Sequence, residues 1–169
     1  MSSEAFQRSP APVSRDEFRR ACGRFATGVC IASVLDSAGA PHGLTVSSFA
    51  SVSLEPPLIL ICLGHAVTNI EDFREAHHFG ISVLSAGARR ISDRFAQKGH
   101  DRFDGVEWKS GETGVPLIAG ALAALECTVY QRFTAGDHDI FVGEVVRACV
   151  NEGEPLIHYA SRYRKLSDE

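Results

Sequence analysis

Two adjacent prolines, Pro56 and Pro57, limit what this chain can fold into more than any other feature. They separate a hydroxyl-rich stretch, GLTVSSFASVSL (43–54), from an apolar run, LILICL (58–63). Proline lacks the N–H that a sheet ladder needs, so the pair cannot lie inside a central strand. Glu55-Pro56-Pro57 therefore marks a turn, and the runs on either side read as successive strands. The second run is apolar throughout and reads as a strand buried on both faces.

The first run raises a separate question. Alternation along a strand puts Leu44, Val46, Ala50, Val52 and Leu54 on one face, with Ser48 the exception. Thr45, Ser47, Ser51 and Ser53 fall on the other face, with Phe49 among them, and no charge occurs before Glu55. One face is expected to be core and the other a row of small hydroxyls. Such a row donates and accepts hydrogen bonds and lets backbone amides come close, which suits a flat polar ligand. Ser47-Ser48 breaks the alternation and predicts a bulge or bend that aims amides outward. A strand that solvates one face would show the same row, and composition leaves both readings open.

The rest of the chain supplies short strands and peripheral helices. Ser14 is an expected N-cap, and Phe18, Ala21, Cys22 and Phe25 share one face of a helix over 15–25. TGVCIASVL (27–35) reads as a strand and DSAGAPHG (36–43) as a turn. Thr68-Asn69-Ile70-Glu71 has capping-box spacing and predicts a helix to about 77. FGISVLS (79–85) reads as a strand. Residues 86–99 form an amphipathic helix with Ile91 and Phe95 inward and Arg89, Arg90 and Lys98 outward. A long loop is expected over 100–120, then strands over 121–133 and 139–150, a last short strand near 155–160 and a basic tail. About six strands without βαβ alternation fit a mainly antiparallel barrel with peripheral helices.

Length and composition narrow the function. The 169 residues suffice for one domain, expected over 14–166 behind a flexible arm over 1–13. A net charge of −4 argues against a nucleic-acid binder. No run of about 18 apolar residues predicts a membrane span, and the first dozen residues do not read as a signal peptide, so the chain is expected in the cytoplasm. The five cysteines read as buried small side chains in a reducing compartment. No H-x-x-x-H, H-E-x-x-H, G-x-S-x-G or phosphate-loop motif occurs, so no metal site is expected and a Ser or Cys nucleophile has no motif behind it. The residues Arg89, Arg90, Arg94, Lys98 and Arg102 make a local positive segment able to hold a phosphate, or a solvated helix face. His138, between Asp137 and Asp139, is expected to be at least half exposed and able to meet a ligand. Tyr159, Arg162 and Tyr163 could cover an aromatic ligand or pack the terminus.

FATGV, the T-x-S-S-F-x-S-x-S-x-x-P-P-L stretch, DRF, GDHDIFVGEV and PLIHYASRYRKL occur here in that order. With them the chain resembles the short-chain flavin reductases, the reductase components of two-component flavin-dependent monooxygenases, from about 18 to 166. The resemblance implies an antiparallel Greek-key split β-barrel that binds flavin and forms homodimers. It implies an NAD(P)H:flavin oxidoreductase that uses NADH or NADPH to reduce FMN or FAD and supplies a separate oxygenase. Carried over residue by residue, it implies that Gly43, Leu44, Thr45, Val46, Ser47, Ser48 and Ser51, with Cys62, Leu63 and Gly64, meet the flavin ring. Thr68, Asn69, Phe95 and Arg102 correspond to the holders of its ribityl chain and phosphate. His138 corresponds to a histidine beside the nicotinamide, and Tyr159, Arg162 and Tyr163 to the segment closing over it. No residue is implied as a nucleophile, and catalysis is expected to be orientation of nicotinamide against flavin. A non-catalytic FMN-binding or storage module on the same barrel is the alternative.

Overall fold

The computed structural model describes residues 12–99 and 101–166. Most of the expected arm, residues 1–11, lies outside them. Helix α1 (Arg15–Cys22) begins as its sequence predicts. Ser14 Oγ accepts the Glu17 amide at 3.3 Å, and the Glu17 carboxylate accepts the Ser14 amide at 3.1 Å, a reciprocal capping box. The helix ends short of the expected Phe25. Its expected inward face is uncovered: no residue of α1 is buried, and Phe18 and Phe25 are 62% and 77% exposed. Helical spacing fixes which side chains share a face, not whether another element reaches it.

The strand expected over 27–35 divides at Val29. β1 (Thr27–Gly28) pairs with the C-terminal segment, while β2 (Cys30–Leu35) enters the main sheet. β2 forms a hairpin with β3 (Pro41–Val46), in register from Cys30 opposite Val46 to Leu35 opposite Pro41. The strand expected over 43–54 also divides. β3 stops at Val46, residues 47–49 bend, and β4 (Ala50–Leu54) begins. The break falls at the Ser47-Ser48 interruption. After the turn at Glu55 and Pro56, β5 (Pro57–Gly64) starts on the second proline, with Pro57 opposite Leu54.

The chain continues through α2 (Ile70–Glu75), β6 (His78–Val83), a 3₁₀ turn at Ala86–Ala88, α3 (Arg89–Ala96), β7 (Trp108–Ser110) and β8 (Pro116–Ile118). The 13-residue strands β9 (Ala123–Ala135) and β10 (His138–Val150) form a hairpin, and β11 (Ile157–Tyr159) and β12 (Arg162–Arg164) form a second. Seven strands make one antiparallel sheet in the order β3-β2-β6-β9-β10-β5-β4. Its edges, β3 and β4, are consecutive in the chain but are not hydrogen-bonded to each other. The result is an antiparallel barrel left open at one seam, which residues 47–49 cross. One apolar cluster fills the curve of the sheet, with Ile61, Ile81 and Phe141 at 0% exposure. A second, including Ile31, Phe95 and Phe103, lies toward α3.

Several expectations need correction. β5 is not buried on both faces: Ile59, Ile61 and Leu63 enter the core, while Leu58, Leu60 and Cys62 are half-buried. Ala50, Val52 and Leu54 are exposed, Leu54 at 91%, because β4 is an edge strand that no element among the described residues covers. Among the cysteines Cys30 and Cys127 are buried, with burial pushing both thiols up to about 12, but Cys22 and Cys149 are exposed. Residues 100–120 are not one loop, since they contain the β7–β8 hairpin. That hairpin is clasped by the buried carboxylate of Glu126, which accepts the amides of Glu112 and Thr113 and the Thr113 hydroxyl. The N-cap of α2 is Asn69 rather than Thr68, and no capping box forms. The Asn69 amide turns instead to Asp72 and His42.

Candidate functional site

The seam holds most of the sequence-predicted ring contacts. Ser48 Oγ accepts the Cys62 amide and donates to the Cys62 carbonyl, both at 2.9 Å, so residues 47–49 are braced to β5. Gly43, Leu44 and Val46 are buried on β3, and Leu63 is buried on β5. The side chains of Leu44, Val46 and Leu63 pack in the core, which leaves these residues only main chain to present. Thr45 Oγ1 donates to the Ser92 carbonyl of α3 at 2.7 Å. Ser47 and Ser51 are exposed, so the hydroxyl row divides into braces and available groups.

Beside the seam lies a cavity of about 320 Å3, lined in part by His42, Gly43, Thr68, Asn69, Arg102 and Phe103. Arg102 is 8% exposed; its Nη1 donates to Gly43 O at 2.6 Å and its Nε to Gln97 O at 2.9 Å. These bonds use two of five guanidinium donors. Burial lowers the Arg102 pKa, yet a guanidinium starts so high that it keeps its charge. Position 43 must be glycine for packing. A Cβ there would lie 2.9 Å from Ala32 O and 3.0 Å from Phe95 Cε1. Phe95 itself is 0% exposed and meets Phe103 edge-on at 4.9 Å, so it backs the wall rather than facing the cavity.

His42 was not singled out in the sequence. Its Nε2 meets Asp36 Oδ2 at 3.0 Å and its Nδ1 meets Asn69 Nδ2 at 3.1 Å, tying the β2–β3 turn to the start of α2. The Asx turn at Asp36, which accepts the amides of Ala38 and Ala40, is the local signal that could have found it.

His138 opens β10 opposite Gly64, and its side chain is 49% exposed. A Cβ on residue 64 would come within 3.4 Å of His138 Nε2, so the ring lies over bare backbone. Nδ1 contacts Asp137 Oδ1 at 2.7 Å. That contact assigns the Nδ1 proton in the neutral ring and leaves Nε2 as an acceptor.

Tyr159, Arg162 and Tyr163 belong to the separate β1-β11-β12 sheet. Among the described residues no hydrogen bond, ion pair or ring contact joins them to His138. Arg24 Nη1 donates to Tyr159 OH at 3.4 Å, and Arg162 is exposed. Tyr163 OH lies 2.8 Å from Ser92 Oγ, with Arg89 stacked 5.1 Å over its ring. Ser92, absent from the sequence reading, therefore touches both Thr45 of the seam and Tyr163 of the C-terminal hairpin.

The profile of the flavin reductase like domain matches residues 22–167. The chain belongs to that family. It is 42% identical over 158 residues to an FMN reductase (NADH) of Agrobacterium fabrum, covering 94% of this chain and 90% of the relative. Among solved structures it matches the NADH:FAD oxidoreductase of Streptomyces globisporus in complex with NAD and FAD fragments. That match has a TM-score of 0.86 and 41% identity over 91% of this chain and 93% of the other. It also matches the flavin reductase component of a bacterial two-component tryptophan halogenase, with a TM-score of 0.84 and 34% identity over 92% and 100% of the chains. Within the flavin reductase like family, the open seam is the split of a split barrel, and the fold expected from the sequence is the fold observed.

Proposed function

We propose that the chain is an NADH:flavin oxidoreductase that reduces FMN or FAD and passes the reduced flavin to a separate oxygenase. One observation carries the reading: a braced run of backbone at the seam, 44–48, adjoins a cavity whose lining includes the buried cation Arg102. The three relatives named above are all reductases or oxidoreductases, which favours this over a storage module.

The residues fit a flavin. Gly64 carries no side chain beside His138, and the cavity offers a hydroxyl at Thr68 and a guanidinium at Arg102, donors suited to a phosphorylated chain, with Asn69 held beside them by Asp72 and His42. When bound, a flavin accepts a hydride from a reduced nicotinamide. The chain's own part is alignment. Main-chain groups of Leu44, Val46, Ser47, Ser48 and Leu63 set the ring edge, with Cys62 bracing Ser48 behind them and Ser51 beyond. His138 Nε2, left as an acceptor by the Asp137 contact at Nδ1, accepts an N–H of a nicotinamide carboxamide. Donors near the polar ring edge favour the negative charge that builds there on reduction.

The same reading makes the protein a homodimer, supported by the uncovered apolar side chains Phe18, Phe25, Val52 and Leu54; sedimentation of the full chain tests it. Tyr159, Arg162 and Tyr163 are the closing segment in this reading. A cytoplasmic setting is supported by five unpaired thiols. No helix among the described residues is long and apolar enough to cross a membrane.

The test mixes the protein with NADH or NADPH and FMN or FAD and follows the absorbance of the reduced nicotinamide. Oxidation with NADH above the rate without protein supports the reading. No oxidation with any of the four pairs removes the enzyme.

A further inference from the structure

We propose that Asp139 is a positioning residue for the nicotinamide site and acts through His138, an inference that rests on the flavin reductase reading above. Asp139 is 5% exposed, yet its carboxylate is fully engaged. Oδ1 accepts from His65 Nε2 at 3.0 Å and from Thr134 Oγ1 at 2.9 Å. Oδ2 accepts from Arg74 Nε and Nη2, each at 2.7 Å. Three elements converge on one side chain: the segment before α2, α2 itself and the end of β9.

The geometry explains the role. Successive side chains of a strand point to opposite faces, so burying Asp139 turns His138 outward. The His65 amide also donates to Asp137 O at 2.9 Å, which holds the residue on the other side of His138. His138 is thus presented from a backbone clamped before and after it, with its ring over Gly64.

Stability alone is a poor account of this cluster. A buried ion pair is often worth no more than apolar side chains of the same volume. What it adds is a fixed position, and a nicotinamide ring needs its contacts held to fractions of an ångström. Burial alone would raise the Asp139 pKa, but the bonds from Arg74, His65 and Thr134 outweigh it and hold the carboxyl at about 2. The clamp therefore stays charged throughout the working pH range. The opposite end of α2, which faces the cavity, is held separately by Asn69 to Asp72 and His42. Loosening Asp139 does not release the flavin tail.

The experiment uses the full chain. NADH oxidation is measured at saturating FMN, with FMN affinity by titration and thermal melting alongside. Asp139→Asn is expected to raise the apparent KM for NADH about fivefold and to change FMN Kd less than about twofold. In a His138→Ala background the same substitution is expected to change KM by less than about 1.5-fold, because the effect runs through that ring. Should Asp139→Asn not fold, Thr134→Val removes one bond and is expected to raise KM about twofold in the same manner. An unchanged KM in a folded variant, or an equal rise with and without His138, overturns the proposal and leaves a structural clamp. Wild-type protein that oxidises no NADH with flavin instead overturns the functional reading, and the proposal with it.

Discussion

Ser48 Oγ and the main chain of Cys62 exchange two hydrogen bonds, each 2.9 Å long, where the chain enters the open seam of the barrel. One hydroxyl does what a strand pair would do elsewhere: it fixes the distance between the crossing segment and β5. Ser48→Ala removes both bonds. The expected loss is about 1–2 kcal/mol of stability, read as a lower Tm, with FMN Kd rising about fivefold because the crossing loosens. An unchanged FMN affinity with a lowered Tm would mean that the brace serves the fold and not the ligand.

Arg102 faces the cavity with donors beyond those it gives to Gly43 and Gln97. Lysine keeps the charge but not the planar fork. Arg102→Lys is expected to raise KM for FMN about tenfold and KM for riboflavin, which lacks the phosphate, about twofold. Equal increases for the two substrates would place the phosphate elsewhere.

His138 sits opposite Gly64 with Nδ1 held by Asp137. His138→Ala is expected to raise the KM for NADH about fivefold while FMN Kd moves less than twofold. A parallel loss of both would favour a role in flavin binding alone.

Acid should find Asp139. Its folded pKa of about 2 lies below the value of about 3.9 for an unfolded aspartate, so it stabilises the fold fully above that unfolded value. The contribution fades as pH falls from about 4 toward 2. Glu126 shifts the same way: burial would raise it, but bonds from Thr113 and the Glu112 amide win. Melting curves between about pH 6 and pH 3 should therefore fall less steeply for Asp139→Asn than for wild type, a comparison that calorimetry makes directly. Identical slopes would show that the carboxylate titrates normally.

Much of this arrangement was legible in the chain. Pro56 and Pro57 marked the turn because proline cannot serve a ladder, and Ser47-Ser48 marked the bend because it broke a period of two. His138 stood out at a strand start between two carboxylates. Other parts depend on tertiary placement that local pattern does not encode. Thr27 and Gly28 leave the main sheet to pair with Ile157 and His158, a partnership across most of the chain. Asp139 and Arg74 are 65 residues apart, and the GDHDIFVGEV stretch that holds Asp139 does not point to Arg74 as its partner. Phe18 and Phe25 carry the helical spacing of a core face, yet no element among the described residues covers them. Leu54 carries the spacing of a buried strand but lies at an edge.

A crystal structure of the protein grown with FMN tests the central claim most directly. The account predicts the polar edge of the ring against the main chain of 44–48 and the phosphate within hydrogen-bond reach of Arg102. Flavin bound elsewhere, with that backbone facing only solvent or neighbouring side chains, would contradict it.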